Sequence, residues 1–257
     1  MEDDFAGICR GVIKRIAPNA DVLDITHGIP PQHVLQGALV LANTLPYMPA
    51  GIHMAVVDPG VGGPRKALAV RGKDARLYVG PDNGLLLVAA DRLGGVAEAV
   101  ELTNRKYMLE PVSRTFHGRD VFAPATAHLA LGVDLHEFGD PVDPAELERL
   151  EVPEPHVGSS RVRATVLYVD RYGNVQLNLT SDHLEEAGIF PGTQVEVEVG
   201  WERVYAVAAK TFADARPGDV IVYEDAYRNI ALAINRGSAA QMLRAGVGQE
   251  LRLKRVS

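Results

Sequence analysis

Ile52-His53-Met54-Ala55-Val56-Val57-Asp58-Pro59-Gly60-Val61-Gly62-Gly63-Pro64-Arg65 reads as a buried strand that runs into a tight loop. The run Ile52–Val57 is largely apolar and β-branched toward its end, which predicts an interior strand. Pro59 removes a backbone donor, and Gly60, Gly62 and Gly63 permit positive φ, so the strand must stop there. An aspartate at the carboxyl end of such a strand, followed by glycines and an arginine, occupies the place where open α/β sheets hold ligands. The same residues also read as a plain Asp-Pro-Gly turn with a solvated arginine, and the stretch alone leaves both open.

Outward from that strand, the pattern alternates. Phe5, Ile8, Val12 and Ile16 recur at helical spacing behind Asp3 and Asp4, and Pro18 ends the helix. Residues 21–25 predict a short strand, residues 34–45 a buried helix, and 67–70 and 77–79 two more strands. Gly80-Pro81-Asp82-Asn83-Gly84 is a turn that leads into a helix, and residues 120–131 are helical with Pro124 in the first turn. Strands alternating with helices predict a mainly parallel sheet covered on both faces.

After Gly132 the texture changes. Residues 138–160 hold Pro141, Pro144, Pro153 and Pro155 among acidic residues and read as a linker. Beyond them come short strands at 162–169, 175–179, 195–199, 204–208, 220–223 and 230–234, with helical pattern only at 181–187 and 238–245; that predicts a small β-barrel or sandwich. The expected organisation is an N-terminal, mainly parallel α/β domain over 1–137, a linker over 138–160, and an all-β domain over 161–257.

Composition narrows the partners. The 257 residues carry a net charge of −7 with no basic stripe in the sequence, which argues against nucleic acid. One cysteine, Cys9, leaves no internal disulfide and fits a reducing, cytoplasmic setting. No apolar run is long enough to span a bilayer, so no membrane partner is expected.

A second polar cluster is Ser113-Arg114-Thr115-Phe116-His117-Gly118-Arg119-Asp120. His117 stands just before a helix and can carry protons or orient water if a carboxylate lies close; taken alone, it reads as a structural or merely exposed loop histidine. The eight histidines show no zinc-type pairing, so no metal is expected. The glycine loop lacks a Gly-Lys-Ser/Thr ending and the dinucleotide spacing, and no serine sits in a nucleophile elbow. With no covalent nucleophile to nominate, direct displacement by a small molecule such as water is favoured.

Taken together, these motifs resemble the S-adenosyl-L-methionine (SAM) hydroxide adenosyltransferases, adenosine-forming SAM hydrolases related to fluorinase and chlorinase. The resemblance is carried by Asp24-Ile25-Thr26-His27, Val56–Gly62 with Arg65, Gly80–Leu86, Thr115–Pro124, Asp170-Arg171-Tyr172-Gly173-Asn174 and Asn235–Ala240. It implies attack of water on the 5′ carbon of SAM, releasing methionine and adenosine, with SAM as substrate and no cofactor. It places the catalytic Asp, Arg and His on Asp58, Arg65 and His117. It further implies that Asp170 takes the methionine ammonium, Tyr172 lies against adenine, Asn174 bonds its edge, and backbone near Ile234 and Arg236 completes the site. A homotrimer with the site at the subunit interface is implied as well.

Three departures matter. The halogenase relatives carry a tyrosine where this chain has Asp58 and a tyrosine-serine pair where it has His117-Gly118, and they have an extra loop for which residues 91–106 leave no room. A carboxylate would repel a halide, so hydrolysis is expected over halogenation. A serine of the family stands here as Ala226, with Tyr227 or Arg228 as the alternatives for the methionine carboxylate. The family opens with an apolar strand ending in Thr-Asp-Phe-Gly, and the sequence starts just after that point, an arrangement that implies a misplaced start. The alternatives to a hydrolase are a SAM-dependent halogenase and a non-catalytic SAM- or adenosine-binding module.

Overall fold

The computed structural model describes residues 3–256, which divide into two compact units, one up to Leu150 and one from Glu151. In the first, α1 (Phe5–Ile16) ends ahead of Pro18, and α2 (Val34–Thr44) is followed by β1 (Ile52–Met54). β2 (Ala67–Gly72) and β3 (Leu77–Pro81) precede α3 (Leu87–Arg92) and β4 (Val96–Glu101). A π-helical turn over Gly118–Phe122 runs into α4 (Ala123–Ala130), and β5 (Pro141–Val142) closes the series.

The sheet order is β1-β3-β2-β4-β5. Only β1 and β3 are parallel; β2 is antiparallel to β3 and β4, and β4 to β5. The mainly parallel sheet expected from the alternating pattern is therefore corrected to a mixed one. Four residues separate β2 from β3, and a parallel return needs a crossover of a dozen or more. Residues 21–25, expected as a strand, pair with nothing in the sheet.

Successive side chains point to opposite faces of a strand, and both faces here are covered. Leu68, Val70, Tyr78 and Ala99 pack with Ala38, Leu41 and Leu45 of the α2 region and with Leu87 and Ala90 of α3. Ala69, Val79 and Val100 pack on the other side with Phe122, Ala125 and Leu129. Ile13 and Ala17 seat the end of α1 on Ala123 and Ala127 of α4.

The second unit contains β6 (His156–Gly158), β7 (Arg161–Val169), β8 (Val175–Leu177), α5 (Ser181–Glu186), β9 (Gln194–Val199) and β10 (Glu202–Ala208). β11 (Val220–Glu224), β12 (Ile230–Ile234), α6 (Ala239–Leu243) and β13 (Glu250–Arg255) complete it. The order β13-β9-β10-β11-β12-β8-β7 closes through a β13–β7 pairing, giving a seven-stranded barrel with β6 added on β7. Val162, Ala164, Val195, Val197, Leu232, Leu251 and Leu253 fill its interior, and the alternate residues face outward. The stretch expected as a linker contributes β5 to the sheet and β6 to the barrel. β4, β5, β6 and β13 have no counterpart in the strands read from the sequence.

Candidate functional site

Asp58 follows β1 along the same extended path, continued by Ala55 N–H donating to the Val79 carbonyl at 3.0 Å. Asn83, in the Gly80–Gly84 turn, donates through Nδ2 to the Val57 carbonyl at 2.9 Å and so fixes the residue just before the aspartate. The loop then tightens through Val61 N–H to Asp58 O at 3.3 Å and Gly63 N–H to Gly60 O at 3.0 Å. Gly62 has φ +74°, and a Cβ there would lie 2.2 Å from the Arg114 carbonyl oxygen. Only glycine lets the loops 58–65 and 113–120 meet this closely.

That meeting brings His117 to Asp58 and Arg65, across 52 residues of chain from the arginine. Arg65 donates through Nε to Asp58 Oδ1 at 3.0 Å and through Nη2 to Asp58 Oδ2, a bidentate fork. The same Nη2 lies 2.9 Å from His117 Nδ1. A guanidinium has no acceptor, so Nδ1 accepts and the neutral ring carries its proton on Nε2. Burial, then the Arg65 charge, lower the His117 pKa below its usual range against the opposing pull of Asp58 and Asp120. Asp58 and Arg65 side chains are only 5% and 10% exposed, so the pair is little screened by solvent, and Arg65 also lies over the Phe122 ring at 5.4 Å.

His117 sits immediately before the π-helical turn, a local expansion of the helix often found at functional sites. Its loop is closed by a buried residue the motif reading treated only as a cap. Asp120 accepts from Ser113 N–H at 2.8 Å and from Arg119 Nε and Nη2 at 2.6 and 2.8 Å. Burial pushes the Asp120 carboxyl up, but these bonds outweigh it and hold the group below its ordinary value. Arg119 in turn lies over Phe116, whose ring meets the Phe5 ring edge-on at 4.8 Å. The signal available in the sequence was the spacing of Ser113 and Asp120 around the histidine.

In the barrel, Asp170-Arg171-Tyr172-Gly173-Asn174 is the β7–β8 connection. Asp170 Oδ1 accepts from Tyr172 N–H at 2.8 Å and Asn174 N–H at 2.9 Å, and Oδ2 accepts from Asn174 Nδ2 at 2.8 Å. The carboxylate thus builds the loop and keeps lone-pair capacity for a further donor. Tyr172 is 64% exposed, with the Arg171 guanidinium over its ring. Gly173 O accepts from Ala240 N–H at 2.9 Å, which brings this loop against the Asn235–Ala240 motif. Ile234 ends β12 in the buried wall, and Arg236 turns the chain at φ +64°.

A second loop repeats that construction. In Asp225-Ala226-Tyr227-Arg228-Asn229, Asp225 Oδ1 accepts from Tyr227 N–H at 2.8 Å and Asn229 N–H at 3.0 Å. Arg228, at φ +67°, stands where Gly173 stands in the first loop. The shared Asp-x-Tyr-x-Asn spacing is visible in the sequence; its common geometry is not. Arg228 pairs with Glu224 at 2.8 Å.

Both units match known family models. Residues 1–139 match the SAM hydroxide adenosyltransferase N-terminal domain, and 164–252 match the C-terminal domain. The chain belongs to this family. An (R)-S-adenosyl-L-methionine hydrolase of Salinispora tropica is 46% identical over 98% of this chain and 94% of its own length. A crystal structure of an uncharacterized conserved protein from Thermotoga maritima is similar with TM-score 0.90 and 36% identity, covering 99% of this chain and 97% of that one. A fluorinase of Actinoplanes sp. is 29% identical over 93% of this chain and 89% of its own.

Proposed function

We propose that this chain hydrolyses SAM to adenosine and L-methionine by attack of water or hydroxide on the ribose 5′ carbon. The observation that carries the mechanism is the contact chain Asp58–Arg65–His117. The sulfonium leaves as a neutral thioether, taking the C5′–S electron pair, so no acid is needed at the leaving group and no cofactor supplies the chemistry. What remains is to hold a water in line and remove its proton. The Arg65 fork occupies one side of each Asp58 oxygen and fixes the plane of the carboxylate, leaving its other lone pairs to take a water in this reading. In this reading Asp58 orients the water and accepts its proton, and His117, with Nδ1 held by Arg65, offers Nε2–H as a second water ligand.

Asp58 also separates hydrolysis from halide transfer. A halide site needs neutral donors around a desolvated anion, and a carboxylate repels it. For the barrel, the proposal gives Asp170 the methionine ammonium, Tyr172 a face of the adenine, Asn174 its edge, and the Ile234 and Arg236 backbone the remaining contacts. The free capacity on Asp170 and the exposed Tyr172 ring support that assignment. We also assign a homotrimeric state, testable by light scattering at three times the chain mass, and a cytoplasmic setting, in line with the single cysteine.

The test is incubation with SAM in ¹⁸O-water, with products separated by chromatography. Adenosine carrying the heavy oxygen is expected; label in methionine, or 5′-halo-adenosine on adding chloride or fluoride, sinks the reading. Asp58→Ala and His117→Ala should lower kcat by about 10²–10⁴-fold while SAM binding by calorimetry stays within a few-fold. SAM bound without turnover in the wild type would indicate a binding module instead.

A further inference from the structure

The outward face of the barrel at β6, β7 and β13 carries charges in a register that no ordinary sheet surface favours. On β7, Arg163 stands between His156 of β6 and Arg252 of β13, and two residues away Arg161 stands between Gly158 and Lys254. Both β7 cations therefore face another cation across one ladder and no acid across either. Like charges directly opposite in an antiparallel pair are destabilising, because their Cβ atoms lie only about 4.5–5.5 Å apart.

The nearby acids do not resolve this. Glu250 reaches Arg163 at 3.5 Å and Arg252 at 3.9 Å, splitting one carboxylate between two guanidinium groups. Glu198, opposite Arg252 on β9, is shared, with Oε2 4.0 Å from Arg252 and Oε1 2.9 Å from Arg203. Lys254 has Glu196 opposite it on its β9 side. The Arg161 side chain makes no hydrogen bond or ion pair among the described residues. His156, Val157, Gly158, Arg161, Val162, Arg163 and Arg252 line a cavity of about 430 Å³, within the size range of small-ligand sites. Gly158, opposite Arg161, has no side chain to fill it. All this stands on a chain whose net charge is −7.

We propose that this concavity is an anion site that takes a soluble phosphate-bearing molecule, separate from the Asp58–His117 cluster. The guanidinium groups of Arg161, Arg163 and Arg252 are planar forks of a kind that matches phosphate oxygens two at a time, and the bound anion supplies to Arg161 and Arg163 the countercharge that neither of their ladder neighbours provides. A concave, small-molecule-sized cleft favours a free ligand over a flat lipid surface.

Calorimetric titration of the full chain with inorganic pyrophosphate at fixed ionic strength tests this. One site per chain is expected, with affinity falling as salt rises. The Arg161→Gln/Arg163→Gln double variant should bind at least tenfold more weakly while turning over SAM at the wild-type rate, which shows that it is folded. Glu250→Gln, which removes the competing carboxylate, should tighten binding severalfold. The proposal is overturned if pyrophosphate does not bind at millimolar concentration or if the double variant binds it equally well. It is also overturned if only vesicles of phosphatidylglycerol and phosphatidylcholine, and not pyrophosphate, are bound.

Discussion

Burial first, and then the Arg65 guanidinium 2.9 Å from Nδ1, disfavour a second proton on His117. Its folded-state pKa lies below the ordinary 6.5, so the folded chain takes up this proton later than the unfolded one. The stability this group contributes is complete above about pH 6.5 and is lost as pH falls through the depressed folded value. Turnover should depend on the same group, with kcat/KM level above pH 6.5 as far as His117 is concerned and falling only as pH drops through the depressed folded value. Asp58, Asp120, Arg65 and Arg119 are the charged groups around it. Asp58 and Asp120 oppose the effect of Arg65, so Asp120→Asn should move the acid limb to still lower pH. A pH–rate profile of the two proteins, with an unmoved limb in the variant, would rule out that coupling.

At the scale of elements, two loops and a π-helical turn make the site, and their approach depends on Gly62. Gly62→Ala places a methyl against the Arg114 carbonyl and a non-glycine residue at φ +74°. We expect a loss of about 1–3 kcal/mol in a urea transition, together with a fall in kcat, because Arg114 lies in the loop that carries His117. A normal kcat would mean that the two loops tolerate separation. The barrel uses the same economy of means twice. Asp170 and Asp225 each organise a five-residue connection through backbone N–H groups. Gly173 and Arg228 occupy the left-handed position in the two copies, and glycine is the residue without strain there.

The whole molecule consists of two units with cores of their own. The barrel interior is a continuous cluster from Val162 to Leu253, closed by the β13–β7 pairing. The fragment 151–257 is therefore expected to fold alone, with a β-type far-UV circular dichroism spectrum and a single urea transition of slope about 1–3 kcal/mol/M. A fragment without a cooperative transition would contradict that autonomy. No described helix is long and apolar enough to cross a membrane.

Helix positions, turn positions and the motifs of the family were legible in residue order, because they depend on local spacing. Phe5 to Ile16 formed the expected helix, glycine and proline marked the loop after Val57, and the motifs around Asp58 and His117 pointed to one family. Strand partners were not legible. Hydrogen-bonded neighbours in a sheet come from distant parts of the chain, so β2 and β3 turned out antiparallel, residues 21–25 stayed outside the sheet, and β13, a polar-faced strand, closed the barrel. The Arg65–His117 contact belongs to the same class, as 52 residues of chain had to fold before the guanidinium could reach the ring. So does the row of basic residues on β6, β7 and β13, which are scattered along the sequence and adjacent only in the ladder. Local chemistry is written in the order of residues, and proximity is set by packing the two cores.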